Sequence, residues 1–204
     1  VIAGAWFEDH AGSNSGAAYI FEFNGSYWSQ EVKLTASDAS AEDIFGRQVA
    51  IDGDTCIVTS PLDDDNGSSS GGAYVFQFNE TWQQTQKLVA KNGASGDQFG
   101  LGLAMDETHV VIGSPWAMKG AGQVHVFERN GNVYLETQTL SDSMGNALDN
   151  FGFGLDVNEL WLMVGAYHDG DLGADAGSLF AYARTFDAGF QLHQQLYSQW
   201  NQNP

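Results

Sequence analysis

The pair Phe-Gly recurs at Phe45-Gly46, Phe99-Gly100 and Phe151-Gly152, spaced by 54 and then 52 residues. Sixteen residues after each Phe stands Pro61, Pro115 or Tyr167, closing Val58-Thr59-Ser60, Ile112-Gly113-Ser114 and Val164-Gly165-Ala166. Ile2-Ala3-Gly4-Ala5-Trp6 is the same stretch in a unit that precedes the first Phe-Gly. Self-similarity at about fifty residues constrains the fold more than any local propensity, because each unit must bury itself against its neighbours.

Two further landmarks keep step with the first. A Gly opens an alternating stretch at Gly16-Ala17-Ala18-Tyr19-Ile20-Phe21, and again at Gly71 to Phe76, Gly122 to Phe127 and Gly177 to Tyr182. An aromatic is followed six residues on by Leu at Trp28/Leu34, Trp82/Leu88, Tyr134/Leu140 and Phe190/Leu196. From each of the first three Leu to the next Phe-Gly is eleven residues, and length varies only in two connections, as insertions in loops do. Every unit then reads as four short strands, in the second unit roughly 47–52, 55–60, 72–78 and 82–88. Tight turns are expected at Asp52-Gly53-Asp54 and at Asn79, the latter matching Asn24-Gly25 and Asn130-Gly131. Four antiparallel strands per period predict an all-β chain of four-stranded β-propeller blades, with a solenoid as the alternative. The expected division of 1–204 is a partial blade at 1–44 and blades at 45–98, 99–150 and 151–204. The repeated Phe, Trp and Leu are expected to be core, since a lone sheet has two faces to cover and stacked blades cover each other.

The stretch from Phe-Gly to Ser-Pro or Gly-Ala-Tyr resembles the FG-GAP repeat, as in the propeller heads of integrin α chains and many secreted multi-repeat proteins. The resemblance covers essentially the whole chain. It implies a propeller, commonly seven-bladed, used for adhesion and ligand binding rather than catalysis. The chain has too few blades for such a ring, opens on Val1 in mid-element, and offers no Phe-Gly strand in 197–204. The expectation is therefore that further sequence or a neighbouring chain completes the ring, with a closed four-bladed ring as the alternative. Integrin-type repeats often carry a calcium loop between Phe-Gly and Gly-Ala-Pro. Here that connection is only Asp52-Gly53-Asp54, Asp106-Glu107-Thr108 or Val157-Asn158-Glu159, too short for an oxygen cage.

Acids gather instead between the second and third strands. Asp63, Asp65, Gly67, Ser69 and Gly71 align without gaps to Asp169, Asp171, Gly173, Asp175 and Gly177. Alternate oxygen-bearing residues around a glycine turn make a candidate Ca²⁺ loop, with a solvated acidic turn as the alternative. Glu8-Asp9-His10 is a weaker version, and the shortened loop at Lys119 is expected to hold no metal. Asp43, Asp97 and Asp149, each two residues before a repeat Phe, are expected to accept backbone N–H bonds and fix a turn. His125 stands where other units have Tyr19, Tyr74 and Phe180, and reads as a structural substitute. Cys56 lies in an apolar run and reads as a buried, inert thiol.

The 26 acidic against 7 basic residues give a formal net charge of −19, which repels nucleic-acid backbones and anionic lipid surfaces. No run of about eighteen apolar residues offers a membrane span. No nucleophile, His and acid grouping is apparent, so no enzyme activity is expected. Asn24, Asn66 and Asn79 open glycosylation sequons. The expected function is a non-catalytic extracellular or cell-surface interaction or structural module for adhesion, matrix or surface assembly. Its partners would be a protein or glycan ligand, together with other copies or the remaining blades. One alternative is a glycan-binding propeller with Trp6 and Trp116 as stacking residues. The other is an accessory propeller of a larger secreted enzyme.

Overall fold

The computed structural model describes residues 1–171, 173, 176–185 and 187–197. Its strands fall into four antiparallel sheets, each drawn from one repeat. The first holds β1 (Ile2–Ala5), β2 (Ala17–Phe23) and β3 (Trp28–Leu34) in that order. The second runs β4 (Val49–Asp52), β5 (Thr55–Ser60), β6 (Gly72–Asn79) and β7 (Thr81–Leu88). The third runs β8 (Gly102–Met105), β9 (His109–Ser114), β10 (Gln123–Asn130) and β11 (Val133–Leu140). The fourth runs β12 (Phe151–Val157), β13 (Trp161–Ala166), β14 (Ser178–Thr185) and β15 (Gly189–Tyr197). One short helical turn, α1 (Ala117–Gly120), interrupts the third repeat. These are blades of a β-propeller, about four in number. The chain divides into two compact units, Val1–Gly100 with the first two sheets and Leu101–Pro204 with the other two.

Burial within a blade follows the sequence. Every residue of β5 and β9 is buried, as the Cys56-Ile57-Val58 and Val110-Val111-Ile112 runs require of strands covered on both faces. The outer strand β7 alternates exposed and half-buried positions, matching Thr81-Trp82-Gln83-Gln84-Thr85. The outer hairpin carries a bulge at the same place in all four blades, at Ile20/Phe21, Val75/Phe76, Val126/Phe127 and Ala181/Tyr182. The extra residue on the partner strand is Glu31, Thr85, Thr137 or His193. A bulge re-aims its side chain, and Glu31 and Thr137 line grooves between neighbouring blades.

Phe45, Phe99 and Phe151 are fully buried. Phe45 meets the rings of Tyr74 and Phe76 edge-on at 5.4 and 6.1 Å, and Phe151 meets Phe180 and Tyr182 at 5.0 and 6.4 Å. The backbone beside each Phe joins it to the preceding repeat. Phe45, Phe99 and Phe151 donate N–H to the carbonyls of Ser15, Ser70 and Ala121 at 3.1, 3.0 and 3.1 Å. Each forms a parallel bridge to Gly16, Gly71 or Gly122. Those glycines sit at φ of 85, 86 and 92°, and a Cβ on any of them would lie 2.0–2.2 Å from the carbonyl oxygen of the bridged Phe. Glycine is needed there twice over, for its backbone angle and for the approach.

Two landmark positions depart from the expected core. Tyr134 and Phe190 are buried, but Trp28 is 53 % and Leu196 is 40 % exposed. Phe190 is enclosed by the preceding blade, through the Gln138 amide and the His109 ring.

Candidate functional site

The loop between the second and third strands is built alike in each repeat. It closes on a hydrogen bond from the repeat glycine to the residue heading the loop, Gly16 to Glu8, Gly71 to Asp63, Gly122 to Ala117 and Gly177 to Asp169, at 2.8–3.0 Å. Where an acid heads the loop, its carboxylate also accepts the N–H two residues on, from His10, Asp65 or Asp171. The next acid, Asp9 or Asp64, accepts the N–H of Asn14 or Ser69. Both donors sit at positive φ, 52 and 50°, a conformation that needs such support in a non-glycine residue. The carboxylates therefore hold the turn, as Asx-type acceptors do.

In the second repeat a cation already stands among these acids. The Lys87 ammonium lies 2.7 Å from Asp63, 2.6 Å from Asp65 and 2.9 Å from Asp38, and 5.1 Å from the Tyr74 ring centre. Oxygens of the three acids fall within 4.8 Å of one another. Asp63 is buried and also accepts the Tyr74 hydroxyl at 2.6 Å. Burial opposes charge on Lys87, yet its bonds to Asp63, Asp65 and Asp38 hold its pKa above the ordinary lysine value. Of the expected calcium ligands here, Asp63 and Asp65 come together around Lys87, while the Ser69 amide turns to Asp64. Lys33 binds Glu8 at 2.7 Å in the first repeat in the same way.

In the fourth repeat Gln195 replaces the lysine. Asp169, also buried, takes hydrogen bonds from Ser178 Oγ at 2.5 Å and Gln195 Nε2 at 3.1 Å. Asp171 stands beside it, its carboxyl pKa raised chiefly by the Asp169 charge. Asp175 lies outside the described residues.

Asp43, Asp97 and Asp149 do fix turns. They accept the N–H of Ser40, Ala94 and Asn146, and the residue after each acid, Ile44, Gln98 or Asn150, has positive φ. Burial raises the carboxyl pKa of Asp43 and Asp149, and nearby acids add to it. Lys33 lowers that of Glu8, and Asp38 is lowered by Lys87 against an opposing burial effect. A carboxyl with a raised folded pKa binds protons more readily folded than unfolded, so its contribution to stability increases as pH falls through that pKa. A lowered carboxyl contributes above its unfolded value and loses this as pH falls through the folded one. Thermal melts from pH 8 to 3 are expected to show maximal stability on the acid side of neutrality, then a fall below about pH 4. A melting temperature that climbs steadily to pH 8 contradicts this assignment.

The other candidates are dispersed. Trp6 is 36 % exposed, stacks on Phe7 at 4.0 Å and carries the Arg47 guanidinium 5.1 Å from its centre. Trp116 is 40 % exposed at the exit of β9. Asn24, Asn66 and Asn79 all lie exposed on turns or strand ends. Burial pushes the Cys56 thiol up to about 12, and His125 is buried against Glu136 at 2.8 Å.

Two open grooves were not foreseen. In Val1–Gly100 a cavity of about 400 Å³ between the outer parts of the first two blades is lined by Glu22, Phe23, Trp28, Glu31, Asp54, Phe78 and Trp82, among others. In Leu101–Pro204 its counterpart, of about 390 Å³, is lined by His109, Glu128, Thr137, Gln138, Arg184 and Phe190, among others. Glu31 and Thr137 are the extra residues of the repeated bulge.

Comparison with curated proteins finds no match. Among solved structures, a mutant lectin of Aleuria aurantia in complex with alpha-methyl-L-fucoside is similar at 12 % identity and a TM-score of 0.45. The same lectin in complex with Fucalpha1-6GlcNAc is similar at 11 % identity and a TM-score of 0.44. Each likeness covers 89 % of this chain and 52 or 53 % of the lectin chain, so this chain spans about half the lectin's length. The FG-GAP repeat model matches residues 28–76, 82–127 and 134–182, each match running from the outer strand of one blade to the third strand of the next. Each match has one Phe-Gly pair near its middle, at Phe45, Phe99 or Phe151, and the chain belongs to the FG-GAP repeat family.

Proposed function

We propose that this chain is a non-catalytic interaction module of an extracellular or cell-surface protein. The observation that carries the reading is the concentration of exposed aromatic side chains at one end of the first two blades. Phe23, Tyr27, Trp28 and Phe78 are 51, 64, 53 and 39 % exposed. Rimmed by acids, they form the kind of surface that marks an interaction site. The exposed sequons agree with passage through a secretory pathway. The experiment uses the chain secreted from cultured eukaryotic cells, its mass measured before and after glycosidase, then applied to arrays of matrix proteins and glycans. Specific capture that Trp28→Ala abolishes supports the reading. Capture unchanged by that substitution, or none at all, contradicts it.

A glycan-binding variant of this reading rests on Trp116, whose exposed ring leaves a face for a sugar. It requires glycan capture that Trp116→Ala removes. Calcium belongs with the loop headed by Asp169, where Gln195 takes the place of Lys87. Calorimetric titration with Ca²⁺ that yields no heat would count against it.

We also propose that further blades complete the ring. A cavity of about 600 Å³ beside Gly177 is lined by Phe153, Tyr167, Leu179, Leu196 and Tyr197, among others. Gly177 corresponds to the glycines that Phe45, Phe99 and Phe151 bridge in the earlier repeats. The mass of the native protein in solution tests this, and a closed four-blade monomer contradicts it.

A further inference from the structure

We propose that the groove between the first two blades of Val1–Gly100 receives a cationic side chain, guanidinium or alkylammonium, from a basic segment of a protein partner. This deepens the interaction-module reading by naming the chemistry of what is bound.

The lining sets the sign of the ligand. Its ionisable side chains, Glu22, Glu31 and Asp54, are all carboxylic and all exposed. The main-chain nitrogen of Val1 at the rim is engaged with the Phe21 carbonyl at 3.0 Å. Trp28 packs on Phe23 at 5.2 Å and Trp82 on Phe78 at 5.6 Å, so two aromatic pairs stand beside the acids. Aromatic faces attract cations through the ring quadrupole, most strongly with Trp, and neighbouring carboxylates add direct attraction. The net charge of −19 draws basic partners toward the whole surface. Glu31 is the extra residue of the bulge, the device that turns its side chain toward the groove.

The chain's own second copy of the groove shows the same partnership. Glu128 stands six residues after its repeat glycine, as Glu22 does. Arg184 stands seven residues after its repeat glycine, as Phe78 does. In the Leu101–Pro204 groove the Arg184 guanidinium reaches Glu128 at 3.8 Å. Thr137 and Leu160 there take the places of Glu31 and Asp54. One groove thus carries its guanidinium in cis. The other has exchanged that arginine for Phe78 and is lined by three acids, against Glu128 and Glu159 in the first, which suits a cation supplied from outside.

The test uses the full chain and N-acetyl-arginine amide, with N-acetyl-citrulline amide as the uncharged isostere, followed by the indole N–H resonances of Trp28 and Trp82. Saturable shifts at these two indoles are expected. They should weaken about tenfold with citrulline, and again with Glu22→Gln and Glu31→Gln combined. Phe78→Arg copies the other groove and should abolish the response while leaving the remaining spectrum dispersed. Equal shifts from the citrulline probe, or shifts indifferent to the glutamine pair, overturn the proposal. So does a neutral fucoside that perturbs the same indoles more strongly than arginine. Array capture that persists in the glutamine variant would then leave the interaction module standing without this groove.

Discussion

Gly71→Ala is expected to destabilise the protein by about 2–5 kcal/mol, which for a chain of this size lowers the melting temperature by about 5–15 °C. The added Cβ would sit 2.2 Å from the Phe99 carbonyl oxygen, and the residue would be held at a φ of 86°. Both collisions involve backbone, so no side chain can rotate away. Relief requires the Phe99 segment to withdraw from Ser70 and Gly71, which breaks the hydrogen bond and bridge joining two repeats. Gly53→Ala is the control. Gly53 also has positive φ, at 52°, but nothing lies within 4 Å of its added Cβ. It should cost only about 1 kcal/mol, the backbone penalty alone. Equal losses from the two substitutions in a denaturant titration would mean that the close approach contributes nothing.

Lys87→Met should cost about 2–4 kcal/mol at neutral pH, because it removes the shared cation from three carboxylates while keeping the length of the side chain. Asp63 is buried and bears most of the effect, while Asp65 is largely exposed and bears little. The loss should shrink as pH falls, because protonated acids no longer repel one another. Calcium at about millimolar concentration should recover part of the stability in the variant and much less in the parent. Calcium that stabilises parent and variant equally would show that the lysine does not occupy the place of an ion.

The period of Phe45, Phe99 and Phe151 exposed the repeat, because a position buried in every blade must stay apolar in every blade. Asp52-Gly53-Asp54 and Asn24-Gly25 exposed the hairpins, because positive φ selects few residue types. The acid two residues before each Phe was readable as a turn acceptor for the same reason. Lys87 was not legible as the partner of Asp63. The two are 24 residues apart, and the hairpin that joins them becomes visible only once the strand register is known. The grooves escaped for a related reason. Glu31 reads as an ordinary polar residue of an outer strand, and the bulge that turns it between blades leaves no composition signal. Trp28 was assigned to the core from its repeat position, and the structure leaves it half exposed beside Phe23.

Phe-Gly is the seam between repeats, and native-state hydrogen exchange tests this most directly. The amides of Phe45, Phe99 and Phe151 should exchange as slowly as those of β5 and β9, requiring global opening. Exchange at the rate of the exposed hairpin turns near Gly25 and Gly131 would contradict it.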